Sequence, residues 1–190
     1  RPATLPLLEK AWTALQAGPP DEAGRGYAQV LRSDPRNVDA LLGLASIALH
    51  REQSGQAEEY YLRVLEIDPD DATAQAGLIG LKGQSDPGLN ESRLKTALSR
   101  QPESAPLHFA LGNLYARQQR WSEAQQAYFK AFSCDADNPD YLFNLAVSLD
   151  HLRQPRLAAQ YYQQALDAAG GARSISFDRQ QAIKRLSELQ

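Results

Sequence analysis

The sequence predicts an all-α fold: a right-handed α-solenoid of five helix pairs closed by a C-terminal capping helix. Three observations predict it. Small and apolar residues recur three and four apart, which places them on one face of a helix. That pattern itself recurs, because unit starts at Thr4, Val38, Ala72, Ala105 and Pro139 give periods of 34, 34, 33 and 34 residues. A period of this length is one helix–turn–helix unit, which buries its apolar face only against a neighbour. Residues that start and stop helices recur in the same phase.

The units run over residues 4–37, 38–71, 72–104, 105–138 and 139–172. Their second helices carry Tyr27, Tyr61, Leu94, Tyr128 and Tyr162 at one place. Four residues earlier stand Ala23, Ala57, Asn90, Ala124 and Ala158; three later stand Val30, Val64, Ala97, Ala131 and Ala165. The alanines let two helices approach closely and the tyrosines fill the gap beside the next helix. First helices repeat Leu44, Leu78, Leu111 and Leu145, followed by Ala45, Gly112 and Ala146 in three of the four.

Asn37, Asp71, Ser104 and Asn138 each precede a unit start, and their side chains suit an N-cap. Pro106 and Pro139 suit a first helical turn, where no N–H is needed. Asp34-Pro35, Asp68-Pro69 and Gln101-Pro102 end the second helices, since proline disfavours helical backbone in the residue before it. Gly18-Pro19-Pro20, Ser54-Gly55 and Gln154-Pro155 mark the turns within units.

Two units depart from the pattern. Unit one has Lys10 in place of the leucine, so its first helix is expected to be rotated or partly exposed. Unit three is degenerate, with Ile79, Lys82 and Asn90 at consensus places, and it holds Gly77, Gly80, Gly83 and Gly88. Each helical glycine costs about 0.5–1 kcal/mol relative to alanine, so residues 76–92 are expected to form a soft joint. Beyond Gly170-Gly171, residues 174–190 carry Phe177, Ile183, Leu186 and Leu189 as a partial apolar stripe, with Asp178 and Gln181 spaced as a capping box. A helix here would cover the last repeat.

The balance of 20 basic and 23 acidic side chains excludes a phosphate-neutralising surface, so no nucleic-acid partner is expected. A hydrophobic fraction of 43% supports a packed interior. No run of 18 apolar residues is present, so no direct membrane insertion is expected. The chain begins at Arg1 and contains no methionine, and reads as a soluble piece of a longer protein.

No nucleotide-binding, zinc-protease or nucleophile-elbow motif occurs, and neither catalytic residues nor a cofactor nor a metal is expected. His50 and His151 stand at one place in units two and five and are too far apart to share an ion. His108 and the single Cys134 read as structural.

The repeating residues, clearest in Leu111-Gly112-x-x-Tyr115 and Ala124-x-x-x-Tyr128, resemble the tetratricopeptide repeat over residues 4–172. That resemblance implies a non-enzymatic scaffold or adaptor that holds a partner peptide or helix in a concave groove lined by first helices. Projected onto these units, the groove is lined by Trp12, Leu42, Ser46 and His50, then by Phe109, Asn113 and Arg117. Phe143, Asn144, Val147 and His151 complete it. Phe109 and Phe143 are equivalent, as are Leu8 and Leu42, giving an apolar floor with polar points. Asn113 and Asn144 fit two places of the chaperone-tail clamp, but Phe109 replaces its first lysine, and Ser174 and Asp178 stand where basic residues belong. Chaperone-tail binding is not expected.

Residues 107–152 are also similar to repeat proteins of bacterial pilus biogenesis, notably the MSHA type. This implies a role in pilus or secretion-system assembly on the periplasmic side of the inner membrane; without it, a cytoplasmic location is the expectation. The alternative is a self-associating structural repeat protein, a homo-oligomer formed through the groove or an open end of the array.

Overall fold

The computed structural model describes residues 4–17, 20–82, 86–170 and 175–190. Residues Gly18, Pro19, Gly83, Gly171 and Ser174, on which some of the expectations above rest, lie outside the described residues. Contacts divide the chain into two compact units, Arg1–Lys82 and Gly83–Gln190, and the division falls inside residues 76–92. Among the described residues the first unit contains α1 (Leu5–Ala17), α2 (Pro20–Ser33), α3 (Val38–His50), α4 (Ser54–Ile67) and α5 (Ala72–Lys82). The second contains α6 (Pro87–Arg100), α7 (Ala105–Arg117), α8 (Trp121–Cys134), α9 (Pro139–His151), α10 (Pro155–Ala169) and α11 (Arg179–Leu189). No helix among them is long and apolar enough to cross a membrane.

The N-caps form where an Asx side chain reaches back to the helix. Asn37 accepts from the Ala40 N–H, Asp71 from Ala74, Asn138 from Asp140 and Tyr141, and Asp178 from Gln180 and Gln181. Ser104 is the correction. It stands at the N-cap of α7, but its hydroxyl is buried without a partner and makes no cap bond. Pro106, in the first turn, has no N–H to offer it.

The turns inside repeats also differ from expectation. Glu52, Gln119 and Arg153 adopt left-handed backbone at φ of 57°, 59° and 56°, at one place in the repeat. The following N–H then closes a long bond to the preceding helix: Gln53 to Ala48, Arg120 to Tyr115 and Gln154 to Leu149 carbonyls. Ser54-Gly55, expected as the turn, begins α4 instead.

The core of the first unit is built from Tyr27, Val30, Leu41, Ala45, Tyr61 and Val64; that of the second from Leu94, Leu107, Leu111, Tyr128, Leu145 and Tyr162. Each core tyrosine needs a hole. Tyr27 lies against Gly43 and Tyr61 against Gly77, so that an added Cβ would come within 2.5 and 2.4 Å of the rings. Gly77 is therefore a packing requirement and not simply a weak point in a degenerate unit. In the second unit Tyr128 instead lies against Gly112 of its own repeat, also at 2.5 Å. In α1, Leu5 and Trp12 are exposed while Leu7, Leu8 and Ala11 pack inward.

His108 is a structural side chain. It is buried, and its Nε2–H donates to the Pro102 carbonyl at 2.7 Å, fixing the loop ahead of α7. Cys134 is exposed at the end of α8, with Glu103 its hydrogen-bond acceptor.

Candidate partner-binding faces

In the first unit, Trp12 is exposed on α1, and Leu42 is half-buried against the cluster around Leu41 and Tyr61. Ser46 is half-buried, and its carbonyl lies 2.9 Å from Nδ1 of the exposed His50. These four residues are spread over α1 and α3.

The second unit is richer. Phe109 is half-buried on α7, its ring 5.7 Å from that of Tyr128 on α8 and 4.8 Å from that of Tyr141 on α9. Phe143 repeats the first contact on Tyr162 of α10, again at 5.7 Å. These edge-to-face and tilted geometries are the favoured ones for aromatic pairs. Asn113 accepts a hydrogen bond from the Tyr128 hydroxyl at 2.8 Å, and burial pushes that hydroxyl well above its ordinary range, which keeps it a neutral donor. Burial likewise pushes Tyr141 up to about 12, helped by Asp135 and Asp140. The Asn144 amide donates to the Asp140 carbonyl of its own helix, Val147 is half-buried, and Arg117 is exposed at the end of α7.

Three relationships were not read from the sequence. His151 lies flat on Trp121 of α8, with centroids 3.7 Å apart and planes within 2°. No periodic signal marks Trp121, because Ser54 and Pro155 stand at its place in other units. Phe143 is stacked on Phe177, which comes from the segment leading into α11, at 4.3 Å and 4°. Here a signal existed: Phe109, Phe143 and Phe177 are spaced by 34 residues each. Finally, Asp150 near the end of α9 is gripped by Arg185 of α11 through Nε at 2.6 Å and Nη2 at 2.8 Å. The guanidinium holds that carboxyl below its ordinary range. The apolar floor of the second unit is thus not bare, since Tyr141 adjoins Phe109 and Phe177 covers part of Phe143.

Among the described residues no cluster of three or more His, Cys, Asp or Glu could hold a metal. What the arrangement offers is aromatic faces and amide, imidazole and guanidinium groups on successive first helices. That defines a helical-repeat protein.

The tetratricopeptide repeat family matches residues 8–72, 84–139 and 109–173, and the chain belongs to it. Two curated relatives are each 30% identical. One is cellulose synthase operon protein C of Pseudomonas fluorescens, over 74% of this chain and 12% of its own length. The other is the general transcriptional corepressor ssn6 of Schizosaccharomyces pombe, over 60% and 11%. The chain therefore spans about a tenth of the curated relatives it matches. Among solved structures, a thermophilic tetratricopeptide-repeat protein of Thermus thermophilus aligns over 98% of both chains with a TM-score of 0.75 at 20% identity. PilW, a type IV pilus biogenesis factor, aligns over 100% of this chain and 86% of its own, with a TM-score of 0.66 at 18% identity. Pseudomonas aeruginosa pilF aligns over 98% and 84%, at 0.62 and 21%. These likenesses establish the all-α repeat fold.

Proposed function

We propose that this chain is a non-enzymatic scaffold or adaptor whose first-helix faces take an extended or helical segment of a partner protein. We place its work in the assembly of a bacterial pilus or secretion machine, on the periplasmic side of the inner membrane. The observation that carries the binding reading is Phe109. Its ring is shared among three helices yet stays half-buried, with Asn113 one turn on and Arg117 a further turn beyond. An apolar anchor site flanked by polar groups is the usual architecture of a peptide groove. The pilus setting is supported by the likeness to PilW over most of both chains.

The test is a crosslinking pulldown with wild type and Phe109→Glu, followed by identification of pilus-assembly proteins. Loss of capture with the helical circular-dichroism signal and melting temperature retained supports the reading. Unchanged capture, or a variant that unfolds, sinks the assignment of Phe109 to a binding face.

A further inference from the structure

In the first unit α3 packs on both α2 and α4, and in the second α9 packs on both α8 and α10. The seam between the two outer helices is built differently in the two cases. In the second unit aromatic rings fill it. Phe132 of α8 meets Tyr161 of α10 edge to face, with centroids 5.8 Å apart, and Phe129 lies 6.1 Å from Phe132. The repeat puts Leu31, Tyr60 and Ala28 at the matching places of the first unit, and there the seam opens into a crevice of about 360 Å³. Ligand clefts are of this size. Leu44 and the buried Ile47 and Ala48 of α3 form its apolar floor, and the half-buried Tyr60 lines its α4 side. Two small residues of α2 keep it open. A Cβ at Gly24 would stand at ordinary contact distance, 3.7 Å from Ile47 Cδ1, and the exposed Ala28 stands where Phe129 carries its ring. The rim is charged by Arg25 of α2 and by Arg51 in the turn ahead of α4. Asp21 pairs with Arg51, so the charges lining the crevice leave one positive in excess. In the second unit the places of the two arginines are taken by Gln126 and Leu152.

We propose that this crevice is a binding site for a partner segment that inserts an aromatic side chain and carries an acidic residue beside it. The ring takes the space that Phe129 takes in the second unit and Ala28 leaves open in the first, resting on the apolar floor beside Tyr60. The neighbouring carboxylate meets the guanidinium groups of Arg25 and Arg51, whose planar forks suit a carboxylate. A basic residue in its place would be repelled by the same two groups. Gln56 adds an amide at the rim. The site is made by α2, α3 and α4 of the first unit, so it shares no residue with the face around Phe109 and does not depend on that reading.

The experiment titrates the isotope-labelled full chain with three capped tripeptides, Asp-Phe-Asp, Lys-Phe-Lys and Asp-Ala-Asp, and follows backbone amide shifts. Asp-Phe-Asp is expected to move the amides of residues 21–28 and 47–60 and to bind at least tenfold more tightly than either of the others. In Ala28→Phe the chain supplies the ring itself. Its affinity for Asp-Phe-Asp should fall at least tenfold while the melting temperature is kept or raised, because the added ring fills open space. Arg25→Glu changes an exposed side chain and gives a second reading if Ala28→Phe does not fold. It should bind Lys-Phe-Lys in preference to Asp-Phe-Asp. Equal affinity for the three peptides, no binding, shifts confined to other residues, or unchanged affinity in Ala28→Phe overturns the proposal, and so does an unchanged preference in Arg25→Glu. Phe109 is intact in every chain used, so failure here leaves the pulldown with Phe109→Glu standing, and failure there leaves this one interpretable.

Discussion

Phe177 lies parallel to Phe143, with centroids 4.3 Å apart and planes within 4°, one repeat length beyond it in the chain. The contact extends the repeat's aromatic ladder with a residue that belongs to no helix. The rest of the segment is held by the buried Ala182 and Leu186 and by one ion pair at its far end. Arg185 holds the Asp150 carboxyl below its ordinary value of 3.8, with His151 and the Tyr162 hydroxyl adding to the effect against burial.

The sign of the pH effect follows. A depressed carboxyl stabilises the folded arrangement at pH values above its unfolded pKa and loses that contribution as pH falls through the folded one. Amides of residues 179–189 should therefore be protected at neutral pH and lose protection below about pH 3.8, before those of α9 and α10. Added salt should have the same direction of effect at neutral pH, because an exposed guanidinium is screened. Hydrogen exchange resolved by segment measures both. Uniform loss across α9, α10 and α11 would contradict it.

The tyrosine–glycine contacts make a prediction opposite to helix propensity. Alanine for glycine within a helix normally stabilises by about 1 kcal/mol. At Gly112 the new Cβ would stand 2.5 Å from Tyr128, a side chain fixed by burial and by its bond to Asn113. Gly112→Ala should destabilise by about 2 kcal/mol, as overpacking of a filled core does. Gly55→Ala, where nothing lies within 4 Å, should stabilise. Urea unfolding of both variants gives the comparison, and a neutral Gly112→Ala would mean that the ring moves freely.

Much of the fold was legible because tetratricopeptide packing is periodic. Tyr27, Tyr61, Tyr128 and Tyr162 announced their own burial by recurring with alanine four residues before. The turn residues Glu52, Gln119 and Arg153 did not, because left-handed backbone is imposed by the geometry of closing the helix pair and none of the three is a glycine or asparagine that would mark it. Gly77 was misleading in isolation: propensity reads it as weakness, and only the position of Tyr61 reveals the hole it provides. Of the candidate site, Phe109 and Phe143 could be placed by phase on the first helices. Phe177 over Phe143 was signalled by its 34-residue spacing, but Tyr141 beside Phe109, Trp121 on His151 and Arg185 on Asp150 meet their partners across 30 or more residues with no recurring mark.

The second unit opens with a charged network that ties α6 to the turn between α7 and α8. Glu91 accepts from Lys95 at 2.6 Å, from Arg120 at 2.8 Å and from the Tyr115 hydroxyl at 3.0 Å. Arg120 also binds Glu123 and lies over the Tyr115 ring, 4.3 Å from its centroid. The Glu91 side chain is only 18% exposed. Lys95 and Arg120, with Tyr115, hold its carboxyl down at about 2 against the opposing effect of burial. The linkage has one sign: the network stabilises fully above the ordinary value of 4.5 and loses its contribution as pH falls toward 2. Glu91→Gln should therefore lower stability by about 1 kcal/mol at pH 7, the upper end for a partly exposed pair. The gap between variant and wild type should narrow below pH 4.5 and nearly close at pH 2. Lys95→Ala should cost less, because that ammonium is mostly in water and makes a within-helix pair. Urea midpoints measured from pH 7 to pH 2 provide the check, and a gap between wild type and Glu91→Gln that stays constant over that range would show that shape, not charge, holds α6 in place.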